Sequence, residues 1–104
     1  MKVFKVDADS SANTEIRAKK NQTVAIEVAG GGTTGYLWEI ASPPSGLKVH
    51  EHTVQPDLES FGGSGTDRFV VSADQPGSLD IKLELKRPWE DSPAKSVKVK
   101  LAAD

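Results

Sequence analysis

Residues 78–86, SLDIKLELK, place an apolar side chain at every second position. In an extended chain the leucines and the isoleucine lie on one face, and the serine and charged residues lie on the other. Strict alternation of this kind predicts a half-buried strand rather than a helix. Because the apolar face of a strand must be covered by another element, the stretch predicts a sheet inside a packed β domain.

The same alternation recurs towards both ends of the chain. The other segments that show it span 3–7, 23–28, 36–42, 47–54, 67–73 and 95–101. Glycine and proline stand between most of these segments, as turn residues do. Seven or eight short strands at this spacing predict an all-β fold, an immunoglobulin-like antiparallel β-sandwich. Residues 14–24 come nearest to a helical pattern, but they are too short and too polar to form a stable helix alone.

Composition narrows the class of protein. The 104 residues fit a single domain over 1–104, and a net charge of -2 gives no basic surface for nucleic acid or an anionic membrane. The absence of cysteine excludes disulfides, a thiol nucleophile and thiolate metal ligands. We expect a monomer.

The first residues lack the apolar core of a signal peptide, which leaves a cytoplasmic protein or a secreted one without its leader.

Three connections between the predicted strands have unusual compositions. They are AGGGTTG at 29–35, QPDLESFGGSGT at 55–66 and RPWEDSPA at 87–94. Alternate connections of a sandwich meet at the same end, so these three should lie together. Glycine lets the backbone approach a partner closely, and Trp and Arg are frequent interface anchors. We therefore predict a composite binding edge, in which Trp89 is exposed while Trp38 and Tyr36 belong to the core or its border.

Other interpretations of these residues remain open at this stage. Glycine-rich connections also serve as plain flexible connectors. His50 and His52, flanking Glu51 and followed by Asp57 and Glu59, could bind a metal, because alternate residues of a strand share a face. An exposed polar edge strand explains them more simply, so no metal and no cofactor is predicted. Without a nucleophile elbow or a phosphate loop, an enzyme is not expected, and the acidic residues fit solvated strand positions.

Taken together, the three connections resemble those of the chagasin family of cysteine-peptidase inhibitors. Members carry Asn-Pro-Thr-Thr-Gly-(Tyr/Phe)-x-Trp, Gly-x-Gly-Gly and Arg-Pro-Trp, in that order. The resemblance extends over about residues 20–101. The corresponding residues here are Gly31, Gly32, Thr33, Thr34, Gly35, Tyr36, Leu37 and Trp38, then Gly62, Gly63, Ser64 and Gly65, then Arg87, Pro88 and Trp89.

The resemblance implies a function and a role for each loop. Members inhibit papain-like cysteine peptidases (clan CA, family C1) reversibly, by inserting the three loops into the active-site cleft. By position, Thr33, Thr34 and Gly35 would cover the nucleophile. Residues 62–65 would offer backbone hydrogen bonds as a substrate strand does. Trp89 would stack on an aromatic surface, with Arg87 making polar contacts nearby.

The chain departs from the family pattern at two places. Gly31 and Gly32 replace Asn-Pro, which removes a bracing side chain and a ring that fixes φ. Ser64 replaces a glycine, which adds strain if that position requires a positive φ. A more flexible loop must be ordered on binding, so weaker inhibition is expected. The alternative is a carbohydrate- or protein-binding β-sandwich module that carries degenerate inhibitor loops.

Overall fold

The computed structural model describes residues 2–6, 14–31, 36–55 and 65–104. In these ranges every regular element is a strand, and no helix is long and apolar enough to cross a membrane. The strands are β1 (Lys2–Val6), β2 (Thr14–Ala18), β3 (Val24–Gly31), β4 (Leu37–Ala41), β5 (Leu47–Gln55), β6 (Gly65–Ala73), β7 (Gly77–Lys86) and β8 (Lys95–Ala103).

The strands form two four-stranded sheets, with the orders β1-β3-β6-β5 and β2-β8-β7-β4. The central pairings are antiparallel, as expected, but β1 joins β3 and β2 joins β8 in parallel. The predicted immunoglobulin-like β-sandwich is confirmed, and its two sheets are mixed because these two edge pairings are parallel. Parallel neighbours need a crossover connection, and β2, which lies in the other sheet, forms part of the crossover between β1 and β3.

Strand β2 is an element that the sequence pattern did not predict. It occupies Thr14–Ala18, inside the segment that came nearest to a helix. Only Ile16 and Ala18 point into the core, which gives too short an alternation to be read as a strand. The strand exists because β8 offers a free edge, along which Thr14 pairs with Val99 and Ala18 with Ala103.

The core lies between the two sheets and follows the predicted alternation. Its fully buried side chains come from both sheets, and the largest belong to Trp38 and Phe69. The inward residues of β3, β7 and β8 are those that the alternation assigns to one face: Val24, Ile26 and Val28; Ile81, Leu83 and Leu85; Val97, Val99 and Leu101. Phe4, Tyr36, Ile40, Leu47 and Leu79 are partly buried against this core.

The turns after β4 and β6 form one end of the sandwich, and they are plain turns as predicted. Gly46 and Gly77 have φ values of 94° and 124°, which glycine adopts without steric strain. The backbone N–H of Asp74 donates to the carbonyl of Gly46 over 2.9 Å, so the two turns support each other. This end presents compact turns, and the unusual connections belong to the opposite end.

Candidate functional site

Strand register brings the roots of the three unusual connections to one end of the sandwich. In the first sheet Gly31 at the end of β3 pairs with Gly65 at the start of β6, and Gln55 ends β5 beside them. In the second sheet Leu37 at the start of β4 pairs with Lys86 at the end of β7. We call this end, defined by those five residues, the motif end. The prediction that alternate connections meet there is confirmed for their flanking residues.

Trp38 ties the two sheets together directly below the motif end. Its side chain is 1% exposed, and its indole Nε1–H donates to the carbonyl of Ala29 on β3 over 3.2 Å. A buried indole needs such a partner, because its N–H is costly to leave without one. The two ends of the first unusual connection are therefore held on a rigid part of the core. Trp38 is a core residue, as predicted.

Tyr36, Arg87 and Trp89 form a stack at the motif end. The Arg87 guanidinium carbon lies 4.8 Å from the centre of the Tyr36 ring and 5.4 Å from that of Trp89. Both distances are within the range of a cation–π interaction. Arg87 thus joins the third connection to the root of the first one, a link between loops that the motif alone did not indicate.

Residues 87–90 form a tight turn that presents Trp89 to solvent. The backbone N–H of Glu90 donates to the Arg87 carbonyl over 3.0 Å, which closes a four-residue β-turn. Pro88 occupies the second position, where its fixed φ suits such a turn. The Arg87 side chain donates through Nε to Glu90 Oε1 over 2.5 Å, so the turn is closed twice. Trp89, at the third position, is 70% exposed, and its predicted exposure is confirmed.

The ion pair in this turn shifts both ionisable groups. The hydrogen bond from Arg87 holds the pKa of the Glu90 carboxyl below its ordinary value, and desolvation only partly opposes this effect. The same hydrogen bond raises the pKa of Arg87 above its already high value. The turn is therefore held by a pair of opposite charges throughout the neutral and mildly acidic range.

The predicted contact residues are divided between described and undescribed parts of the chain. Gly31, Tyr36, Gly65, Arg87, Pro88 and Trp89 lie in described parts, and all six are at the motif end. The others lie outside the described residues: Gly32, Thr33, Thr34, Gly35, Gly62, Gly63 and Ser64. The contacts assigned to those seven residues remain predictions from sequence.

The two histidines of β5 do not share a face, which corrects the premise of the metal interpretation. A register shift between Val49 and Glu51 reverses the alternation of the strand at His50. His50 Nε2 is then 2.8 Å from Ser72 Oγ on one face of the sheet, and His52 Nε2 is 2.7 Å from Asp67 Oδ2 on the other. Among the described residues no group of three or more His, Cys, Asp or Glu could hold a metal ion.

Asp67 contradicts the expectation that the acidic residues are solvated. It is 0% exposed on the inner face of β6, in line with Phe69 and Val71. Its Oδ1 atom is buried and has no hydrogen-bond partner among the described residues. The alternation that placed Phe69 and Val71 in the core extends back to this residue. The strand position therefore predicts burial, although an acidic side chain is ordinarily expected at the surface.

Comparison with known proteins first defines the class of fold. The chain is similar to the cysteine protease inhibitor EhICP2 from Entamoeba histolytica, at 19% identity and a TM-score of 0.78 over 98% of this chain and 96% of that one. It is similar to amebosin at 22% identity and a TM-score of 0.72, over 100% and 99% of the two chains. It is also similar to PbICP-C, solved in complex with falcipain-2, at 16% identity and a TM-score of 0.66 over both chains in full. No curated protein sequence matches the chain.

The family is set by sequence. Residues 17–101 match the chagasin family of peptidase inhibitors, I42. The chain belongs to this family, and the function that the family defines is inhibition of cysteine peptidases rather than catalysis. The matched region contains the roots of all three unusual connections, from β2 to β8.

Proposed function

We propose that this protein inhibits papain-like cysteine peptidases reversibly by placing the three connections of the motif end in the active-site cleft. Thr33, Thr34 and Gly35 cover the nucleophile. Residues 62–65 run along the cleft and offer backbone hydrogen bonds. Trp89 stacks on the enzyme surface beyond the nucleophile, and Arg87 contributes polar contacts beside it. Occlusion of this kind presents no well-placed scissile bond, so the inhibitor is not consumed.

The observation that carries the proposal is the exposed Trp89 on a doubly closed turn at the motif end, where the residues flanking the two glycine-rich connections also lie. Trp89 is 70% exposed, and tryptophan is among the residue types most often found as interface anchors. The Arg87–Glu90 hydrogen bonds hold the turn that carries Trp89, so less backbone freedom remains to be lost on binding. Tryptophan, tyrosine and arginine supply a large share of the binding energy at protein interfaces.

The proposed contact surface combines one turn that is closed by hydrogen bonds with connections that are rich in glycine. The turn at 87–90 is held by two hydrogen bonds, whereas the first connection has Gly31 and Gly32 where the family has Asn-Pro. Glycine in place of these residues adds about 0.4–1 kcal/mol of chain entropy per site to be removed on binding. We expect Trp89 to supply much of the affinity and the first connection to supply occlusion at a larger entropic cost.

The test is a steady-state assay of papain with rising concentrations of this protein, followed by gel electrophoresis of the mixture. Reversible inhibition with the inhibitor left intact is the expected result. Cleavage of the protein by papain would show a substrate instead of an inhibitor. Absence of inhibition for both papain and a cathepsin-type enzyme would contradict the proposal, and a glycan- or protein-binding module would then be the better description.

A further inference from the structure

Strand β5 pairs with β6 along its whole length, but it contributes few buried side chains that could fix its register there. It is the edge strand of its sheet, and eight of its nine residues are exposed. Val49 and Val54, its apolar residues beyond Leu47, are 46% and 44% exposed. A strand that buries so little side-chain surface has a weakly specified register. The bulge at His50 weakens the specification further. It inserts one extra residue into β5, and the exposed sequence of the strand does little to fix where that residue is inserted.

Beyond the bulge, His52 makes the inward contacts of β5. Its ring stacks on Phe69, with the centres 4.1 Å apart and the planes at 19°. Its Nε2 atom lies 2.7 Å from Asp67 Oδ2, although His52 faces Phe69 across the pairing and Asp67 faces Val54. The contact is therefore diagonal, and a slip of one residue along β5 would turn the imidazole away from the carboxylate.

Asp67 is an unfavourable residue for stability at this position. It is fully buried among core side chains, and its Oδ1 has no partner within the described residues. Its partner His52 is 36% exposed, and replacing such a buried polar contact by apolar side chains of similar size is often neutral or stabilising. The best-attested advantage of such a pair is that it specifies register, since the misaligned state leaves a buried polar group without a partner.

We propose that the His52–Asp67 pair is a positioning element, which sets the register of β5 on β6 and so the place of Gln55, from which the connection at 56–64 begins. The proposal rests on the proposed function for its effect on inhibition, because that connection contains part of the second inhibitor motif. Val54–Asp67 and Gln55–Thr66 are the last two pairs before the connection. Asp67 and His52 are thus positioning residues that need not touch the peptidase.

The opposite face of β5 supplies a matched control. His50 is exposed as His52 is, and its Nε2 atom lies 2.8 Å from Ser72 Oγ, which belongs to a residue only 3% exposed. This contact lies at the bulge and farther from the motif end. Replacing His50 therefore removes a histidine and a side-chain hydrogen bond from the same strand without removing the diagonal contact.

The experiment compares four variants in two assays. His52→Leu with Asp67→Leu removes the pair, His52→Leu alone leaves the carboxylate unpaired, His52→Gln retains an N–H donor, and His50→Leu is the control. Register is read from cross-strand NOEs between Val54 and residue 67 and between Gln55 and Thr66. The inhibition constant for papain is read separately, well below the unfolding midpoint of each variant.

The expected result is that the double variant unfolds no earlier than wild type yet loses the single set of NOEs. Its inhibition constant should rise about tenfold, a typical coupling for residues that act together. His52→Gln and His50→Leu should keep both the NOEs and the inhibition. If the double variant does not fold, the contrast between His52→Leu and His52→Gln decides the point, because that side chain is 36% exposed.

Two results would overturn the positioning role. One is a folded double variant with wild-type NOEs and a wild-type inhibition constant. The other is an equal loss of inhibition in His50→Leu, which would make the effect general to β5. A wild-type protein that fails to inhibit papain would contradict the proposed function instead, and the NOEs would still decide whether the pair sets the register.

Discussion

Trp38 and Trp89 are the two tryptophans of the chain, and they lie at the two limits of exposure. Trp38 is 1% exposed, and its indole links β4 to the carbonyl of Ala29 on β3. Trp89 is 70% exposed at the tip of a turn. The contrast shows that the motif end has a buried base, which stabilises the fold, and an exposed tip, which is free for a partner.

The base and the tip are joined by Arg87. Its guanidinium contacts both the Tyr36 ring, which packs against the core, and the Trp89 ring, which does not. Because Glu90 also holds Arg87, the exposed ring is fixed relative to the core by side-chain contacts as well as by the backbone. Changes in the base should therefore affect stability and changes in the tip should affect binding.

The largest effect is expected for Trp38→Ala. Removing a fully buried aromatic side chain should lower the free energy of unfolding by about 3–5 kcal/mol. Urea denaturation followed by circular dichroism measures the change. A variant as stable as wild type that only loses inhibition would show that Trp38 is a contact residue and would abolish the contrast with Trp89.

Trp89→Ala should have the opposite profile. An exposed turn residue usually changes stability by less than about 0.5 kcal/mol. Loss of an interface anchor of about 2 kcal/mol should raise the inhibition constant about thirtyfold. Urea denaturation tests the expected stability, and titration of papain tests the expected loss of inhibition. Unfolding of the variant would contradict the assignment of Trp89 to the exposed tip.

Restoring Asn-Pro through Gly31→Asn and Gly32→Pro should tighten inhibition. The two changes reduce the entropy of the free connection by about 1–2 kcal/mol in total, which corresponds to about five- to thirtyfold in the inhibition constant. A titration of papain compares the double variant with wild type. An unchanged or weaker inhibition would indicate that the glycines suit the peptidase that this protein meets.

The smallest effect is expected from acid. The pKa of Glu90 is lowered from its ordinary value of 4.5, so the pair contributes fully above that pH and is lost as pH falls through the lower folded value. Because the pair is partly solvent exposed, the turn should lose little, and inhibition should weaken by less than about twofold on this account. Tryptophan fluorescence of wild type and of Glu90→Gln, titrated from about pH 6 to about pH 3, measures it. A transition that persists in Glu90→Gln would have to come from another group.

Period-two alternation predicted most of the fold because the core obeys it. It identified seven strands and the inward residues of β3, β7 and β8, where each apolar side chain lies directly in the core. It failed for β2, whose partner β8 lies at the other end of the sequence. The local sequence of β2 does not show that β8 will offer a free sheet edge, because that edge exists only in the complete fold.

The position of the candidate site was predictable from the sequence, but the strand contacts that hold its flanking residues were less so. Residue types, and the rule that alternate connections meet at the same end, placed Trp89 in an exposed connection at the motif end. The bulge at His50 could not be predicted, because the polar sequence of β5 fits either register equally well. Asp67 was misassigned, since an acidic residue in a strand is buried only when a particular partner, here His52, is brought to it by the fold.

The parallel pairing of β2 with β8 has a consequence for folding kinetics. All four strands of the β1-β3-β6-β5 sheet precede Asp74, so that sheet can assemble before the remainder of the chain is made. The other sheet joins Thr14 to Val99, and β2 must wait for nearly the whole chain to leave the ribosome. Contacts of such high sequence separation slow folding to about milliseconds to seconds. The sheet that contains β2 can therefore be completed only after β8 has been synthesised.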